Sequence, residues 1–109
     1  MTGVCSVYVT FADRDEAERI GRAMVEQGLA ACVNILQPCL SIYRWQGAVE
    51  TGEEVPALFK TSTEGADRLI REIRDLHSYD LPAIVAWPAI AATDGLDAWV
   101  KGDPDDAAS

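Results

Sequence analysis

Basic side chains are scarce in this chain of 109 residues: nine lysines and arginines stand against 18 aspartates and glutamates, giving a net charge of −9. Binding to nucleic acid requires a basic patch that releases counterions from the phosphates, so we expect no nucleic-acid partner. An anionic membrane surface is disfavoured for the same electrostatic reason.

Histidine is scarcer still, because His77 is the only one, and this excludes a metal site built from two histidines of one subunit. The sequence also has no phosphate-binding loop, no GxGxxG after a strand, no GxSxG elbow and no CxxC pair. A Ser–His–Asp triad is not excluded by counting, but nothing places a serine on a sharp elbow. Without a visible nucleophile–base pair or metal-bound water, we expect that the protein is not an enzyme.

Long apolar runs are absent as well. No stretch approaches 18 uninterrupted apolar residues, and the N-terminal string MTGVCSVYVTF has no charged n-region and no small-residue cleavage site. We therefore expect no membrane partner and a cytoplasmic location. The three cysteines are an odd number, which is typical of reduced thiols. On one extended strand Cys32 and Cys39 would lie about 23 Å apart, too far for a disulfide.

What is present is an alternation of strand and helix patterns. Residues 5–12 favour a strand, and residues 13–28 show apolar side chains at helical spacing, with Asp13 and Glu16 as a capping pair and Gly28 as a stop. Residues 30–45 are apolar and extended, and Pro38 marks a bulge or an edge in a long strand. A turn over 46–54 and a strand over 53–61 complete a long hairpin.

The second half of the chain repeats the alternation. Residues 61–77 predict a second amphipathic helix, with Thr61, Ser62 or Thr63 as its N-cap. A strand over 82–90 and a short helix over 94–102 follow. We predict a single domain over 1–102 and a flexible acidic tail over 103–109.

The order of these elements predicts an α+β, ferredoxin-like fold (βαββαβ) with an antiparallel sheet, a long hairpin and a short C-terminal helix. Right-handed crossovers place both helices on one face of the sheet, so the other face needs a cover. The chain has too few further helices to supply that cover. We therefore predict an oligomer in which the hairpin leans on other subunits.

His77 has two interpretations. It lies in the last turn of a predicted helix, where a cation or a donor to free carbonyl groups is favoured. Tyr79 and Pro82 shape the loop that follows, and Tyr43 and Trp45 offer aromatic surface elsewhere. A titratable group in an aromatic-lined cleft would be a candidate site.

The other candidates also have a structural alternative. Cys32 lies in the string LAACVNIL, which is typical of a core strand with a buried free cysteine. Lys60 ends a strand and is either a solvated strand end or an anion-binding group. Glu50, Glu53 and Glu54 could hold a hard cation weakly, although EF-hand spacing is missing and a solvated turn is favoured.

Five strings occur in an order that resembles the CutA family, the CutA1-type divalent-cation tolerance proteins. They are LAACVNI (29–35), SIYRWQG (41–47), EEVPALFKT (53–61), DLHSYDLPAI (75–84) and DGLDAWV (94–100). The resemblance covers about residues 4–101. It implies a homotrimer of ferredoxin-like subunits, similar in architecture to the PII signalling proteins, in which the long hairpins of adjacent subunits pair.

The resemblance also implies a cleft between subunits and assigns residues to it. The residues that match the family strings are Cys32, Asn34, Tyr43, Trp45, Lys60, His77, Tyr79 and Pro82. The family takes its name from tolerance of copper and other divalent cations, so His77 and Cys32 are the expected soft metal ligands. This chain departs from the family pattern at Leu76, Ser78 and Ala83, and the last of these replaces a carboxylate of the cleft.

Three functions follow from these residues. The first is a trimeric metal-binding or metal-responsive role with copper or another divalent cation as cofactor. The alternative is a PII-like trimeric sensor that binds a small anionic metabolite through Lys60, Asn34, Tyr43 and Trp45. The third is a structural trimeric scaffold without a small-molecule site.

Overall fold

The computed structural model describes residues 2–102, so the tail predicted over 103–109 lies outside the described residues. The elements in chain order are β1 (Val4–Phe11), α1 (Arg14–Glu26), β2 (Cys32–Ile35), β3 (Cys39–Trp45), β4 (Ala48–Ser62), α2 (Ala66–Leu76), β5 (Ile84–Pro88) and α3 (Leu96–Val100).

β1 lies in the middle of the main sheet. It pairs antiparallel with β4 on one side and with β5 on the other, so that Val7 lies between Phe59 and Ala86. β2 pairs antiparallel with the far edge of β4, which gives the strand order β2-β4-β1-β5. This is the order of the βαββαβ, ferredoxin-like sheet, and the predicted fold class is confirmed.

Two details of the predicted hairpin were wrong. The chain leaves the strand at residues 36–38, so Pro38 separates β2 from β3 where a single long strand with a bulge was expected. The turn contains only Gln46 and Gly47, both with positive φ (50° and 82°), and β4 begins directly after it at Ala48. A two-residue turn with both φ values positive matches the twist of antiparallel strands. Residues 48–54 were predicted as a turn from their composition, but they form a strand because they pair with β3.

The first helix begins as predicted, because the Asp13 carboxylate accepts a hydrogen bond from the Glu16 N–H at 2.8 Å. The second helix begins later than predicted. Its N-cap is Gly65, and no side chain caps it. The Ser62 hydroxyl instead accepts from the Gly65 N–H at 3.0 Å, and the Thr61 hydroxyl donates to the Leu29 carbonyl at 2.9 Å.

The core lies between the two long helices and one face of the sheet. Alternate residues of β1 and β4 point into it and meet the apolar stripes of α1 and α2. The largest fully buried side chains are Phe11, Phe59, Ile20, Met24, Leu69, Ile73, Val7 and Val9. Both helices therefore cover the same face, as the crossovers predicted.

Neither long helix covers the opposite face of the sheet. The short helix α3 contacts β1 and β4, and Val4 and Val100 are buried. The opposite face, called the open face below, is formed by the other alternate residues of the strands. Among them Val85 and Trp87 are exposed, and Tyr8 and Leu58 are half-buried. No helix among the described residues is long and apolar enough to span a bilayer.

Candidate functional site

The predicted site residues fall into two groups in the structure. Cys32, Asn34 and Lys60 lie together on the open face, where β2 pairs with β4. Cys32 is directly opposite Lys60, and the Lys60 ammonium donates a hydrogen bond to the Asn34 amide oxygen at 3.2 Å. Two of the four residues expected to bind an anion, Lys60 and Asn34, are therefore in contact.

The second group lies at the other end of the sheet. Tyr43, Trp45 and Tyr79 line a cleft, while His77 and Pro82 are buried in the loop that carries Tyr79. The two groups are far apart within one chain. Glu54, which hydrogen-bonds to Tyr79, lies six positions before Lys60 in β4. Six steps along a strand span roughly 20 Å.

The cleft exists because β4 is longer than β1. The ladder between them ends where Phe11 pairs with Val55, and residues 48–54 continue outward paired only with β3. We call β3 with residues 48–54 the arm. The cleft lies between the arm and the loop 79–83, and it encloses about 500 Å³.

The face of the arm toward the cleft follows from the pleat. Residues directly opposite each other in an antiparallel pair lie on the same face, and Tyr43 is opposite Glu50 while Ser41 is opposite Gly52. An added Cβ at Gly52 would lie 3.6 Å from the Tyr43 hydroxyl, so this glycine leaves room for the ring.

His77 is 8% exposed and is held on both ring nitrogens. Its Nε2 lies 2.9 Å from the carbonyl oxygen of Thr10, which can only accept. Its Nδ1 accepts a hydrogen bond from the Tyr79 N–H at 3.1 Å. These partners assign the neutral ring with the hydrogen on Nε2. The ring also stacks on Phe11 with the centroids 5.1 Å apart.

His77 ends α2, as one interpretation expected, but it is not among the residues that line the cleft. It is the C-cap residue of α2, but its ring bonds to β1 and not to the free carbonyl groups of its own helix. The ring supports the wall of the cleft from behind, because it fixes the backbone of Tyr79. Its lone pair on Nδ1 is already used within the chain.

Glu16 is a supporting residue that the sequence did not reveal. Its carboxylate is 4% exposed and accepts from the Ala12 N–H at 3.0 Å and from the Ser78 N–H at 2.8 Å. Burial alone would raise the pKa of Glu16, but the hydrogen bonds from Ala12 and Ser78 outweigh it and lower that pKa overall. The capping pattern signalled the contact at the helix end, whereas nothing signalled the bond to Ser78, 62 residues away.

Tyr79 connects this loop to the arm. Its hydroxyl donates to the Glu54 carboxylate at 3.1 Å. Burial and the bond to Glu54 raise the pKa of Tyr79 to about 12, so the phenol remains a neutral donor at physiological pH. Three hydrogen bonds thus connect α1 with the arm. The Ser78 N–H donates to Glu16, the Tyr79 N–H donates to His77, and the Tyr79 hydroxyl donates to Glu54.

The residues of one chain do not fit a copper site. Within residues 2–102 no three His, Cys, Asp or Glu side chains are grouped so that they could hold a metal ion. Both nitrogens of His77 have partners, and Cys32 belongs to the distant group on the open face. The expected ligand pair of His77 and Cys32 therefore does not meet within a protomer.

A single anion-binding pocket also does not form within one chain. Lys60 and Asn34 are on the open face, whereas Tyr43 and Trp45 line the cleft. The charged residues that line the cleft are Glu50, Glu53, Glu54, Asp80 and Arg44. With four carboxylates and one guanidinium, the cleft is acidic and repels small anions.

The chain was compared with known families and structures. The family model described as CutA1 divalent ion tolerance protein matches residues 5–103. The chain belongs to the CutA1 family. This confirms the resemblance found in the five sequence strings.

Relatives within the CutA1 family span bacteria, archaea and eukaryotes. The divalent-cation tolerance protein CutA of Thermus thermophilus is 44% identical over 82 residues, which are 75% of this chain and 80% of that protein. The human protein CutA is 34% identical over 98 residues, which are 90% of this chain. The chain spans only 55% of the human protein and 52% of the chloroplastic CutA of Arabidopsis thaliana.

Solved structures of CutA1 proteins share the fold. CutA from Xylella fastidiosa superposes with a TM-score of 0.89 at 33% identity and covers 94% of this chain and 98% of its own. CutA1 from Thermus thermophilus gives 0.87 at 37% identity and covers 92% and 97%. The antiparallel sheet with both long helices on one face is therefore the fold of this family.

Proposed function

We propose that the protein serves in divalent-cation tolerance as a homotrimer without catalytic activity. The relatives it matches are named for divalent-cation tolerance. The observation that supports self-association is the uncovered apolar surface of the single chain.

That surface has two parts. One is the open face, with Val85 and Trp87 exposed. The other is the face of the arm that points away from the cleft, where Leu40, Ile42 and Val49 are each about 70% exposed. Apolar surface of this extent on a small domain is typical of an interface. Because neither long helix among residues 2–102 covers it, further copies of the same chain are the proposed cover.

The cellular role can be tested by complementation. In a strain that lacks its own CutA1 protein and is sensitive to copper, expression of this chain is expected to restore growth in copper-containing medium. The Ile42→Lys variant, which places a charge in the proposed interface, should fail to restore it. A matched control, Val25→Lys on the outer side of α1, should restore growth. No effect of the wild-type chain on copper sensitivity would contradict the proposal.

The proposed copper site would have to form between copies, because one chain does not assemble it. Titration calorimetry with Cu(I) and Cu(II) on wild type, His77→Ala and Cys32→Ser tests this. If His77 and Cys32 ligate copper across the interface, both variants lose binding. Unchanged binding in both would show that these residues are not the ligands.

A small anionic metabolite remains the alternative ligand, and one observation favours it. Among residues 2–102 the one ion pair within 4.0 Å is Arg14 with Glu18, so the Lys60 ammonium has no carboxylate partner there. It contacts the Asn34 amide on the open face. Thermal-shift screening with nucleotides and organic acids should show stabilisation that Lys60→Met removes, and flat melting curves would argue against this alternative.

The cytoplasmic location also stays a proposal. The Arabidopsis relative is named as chloroplastic and the Archaeoglobus fulgidus structure as periplasmic. Fractionation of the source cells with an antibody against the chain would test it, and recovery outside the cytoplasm would contradict it.

A further inference from the structure

The cleft between the arm and the loop 79–83 combines aromatic walls with an acidic rim. Its apolar walls are the rings of Tyr43, Trp45 and Tyr79 with Leu81. Tyr43 and Trp45 are 43% and 45% exposed. In the described part of the chain neither ring packs against another aromatic ring, and both rings line the cleft.

The rim of the same cleft is acidic. Glu50, Glu53, Glu54 and Asp80 line it together with one basic residue, Arg44. No carboxylate lies within 4.0 Å of the Arg44 guanidinium among residues 2–102. The position of Glu54 is fixed by the Tyr79 hydroxyl, which donates to one of its oxygens. The second oxygen remains available to accept from a ligand.

Aromatic faces beside carboxylates attract cations, and the spacing decides which cation fits. A metal ion needs several ligand atoms close around one point, and the described residues provide no such group. Carboxylates spread along a cleft of about 500 Å³ instead suit an elongated cation with separated charges. Ammonium groups bind favourably over Tyr and Trp rings, and methylene groups pack against the same rings.

We propose that this cleft binds an aliphatic polyammonium cation, with its ammonium groups at the Glu50 and Glu54 carboxylates and its methylene chain against Tyr43 and Trp45. This inference does not depend on the role in metal tolerance. The arm presents its exposed aliphatic residues on the opposite face from Tyr43, so the rings and the proposed interface residue Ile42 belong to different faces.

Isothermal titration of the full-length protein with spermidine tests the proposal. We expect saturable binding that weakens about fivefold or more in Glu54→Gln and in Trp45→Leu. Glu54→Gln keeps an acceptor for the Tyr79 hydroxyl, and Trp45→Leu keeps an apolar side chain. Glu26→Gln, which removes the same charge from the exposed end of α1, should bind spermidine as the wild type does.

Three results would overturn the proposal. The first is no saturable binding of spermidine to the wild type. The second is equal weakening by Glu26→Gln and Glu54→Gln, which would mean diffuse attraction to an acidic protein. The third is unchanged affinity in Trp45→Leu. Gel filtration of each variant shows whether its oligomeric state is that of the wild type, which separates loss of the site from loss of the assembly.

Discussion

At the scale of single residues, two buried side chains behind the cleft, Glu16 and His77, hold its wall in place. Glu16 takes two backbone N–H groups, one at the end of β1 and one in the loop after α2. His77 accepts a hydrogen bond from the Tyr79 N–H and donates one to the Thr10 carbonyl. Each of these side chains satisfies backbone groups in buried or partly buried hydrogen bonds.

Removing the Glu16 carboxylate is expected to destabilise the protein. Glu16→Ala leaves the Ala12 and Ser78 N–H groups without their acceptor, which should lower the free energy of unfolding by about 1–3 kcal/mol at pH 7. Urea denaturation followed by circular dichroism measures it. The control Glu18→Ala removes only the exposed ion pair with Arg14 and should cost roughly 0.5 kcal/mol or less.

The same residue makes stability depend on pH. The pKa of Glu16 is lowered by folding from an ordinary value of 4.5, so the charged carboxylate stabilises the fold above that pH. This stabilisation should be lost as the pH falls below 4.5 toward the lowered pKa. In Glu16→Gln the corresponding part of the acid dependence should be missing. Parallel pH profiles for wild type and Glu16→Gln would contradict the assignment.

At the scale of elements, the arm is joined to the loop 79–83 by the hydrogen bond from Tyr79 to Glu54. Tyr79→Phe removes the hydroxyl and should lower the free energy of unfolding by roughly 1 kcal/mol near neutral pH. The pKa of Tyr79 is raised from 10.0 to about 12. The stability difference should therefore be fully present below pH 10 and disappear between pH 10 and about 12. Denaturation curves across that range test it, and a difference that grows there would contradict it.

The two-residue turn of the arm can be tested with one destabilising and one stabilising substitution. Gly47 has φ +82°, where a side chain is strained, so Gly47→Ala should destabilise the protein by about 1 kcal/mol. Gln46→Asn places a residue that tolerates its φ of 50° before the glycine and should raise the melting temperature. Thermal unfolding of both variants measures this. Shifts in the same direction would contradict the turn geometry.

The elements show where sequence reasoning succeeds and where it stops. Helical spacing and the pair of Asp13 with Glu16 are local signals, and they placed α1 correctly. Residues 48–54 look like a turn in isolation, because Gly and Glu are depleted in strands. Their pairing with β3 depends on the two-residue turn, a geometry that the sequence QG does not specify strongly.

The candidate site was predictable in part. The family strings identified residues that lie around the cleft and on the open face. Lys60 and Asn34 are in contact because they lie on adjacent strands. The separation of Lys60 from Tyr43 follows from the register of β4, which no local pattern gives. The acidic rim could have been suspected from Glu50, Glu53 and Glu54, but the contribution of Asp80 depends on how the loop folds back toward the arm.

At the scale of the whole molecule, the single chain leaves a large apolar surface exposed. Its core covers one face of the sheet, whereas Val85 and Trp87 on the open face and the aliphatic residues of the arm are exposed within residues 2–102. Burial of such surface contributes about 25 cal/mol for each Å² removed from water, which supports the proposed association of copies. Proteins of the same family share this fold at TM-scores near 0.87.

Sedimentation equilibrium of the full-length protein tests this central claim most directly. We predict a single species with three times the chain mass of 11.8 kDa. Ile42→Lys should shift the distribution toward the single chain, whereas Val25→Lys, with the same change on α1, should leave the mass unchanged. A wild-type protein that sediments as a folded single chain at micromolar concentration would contradict the account.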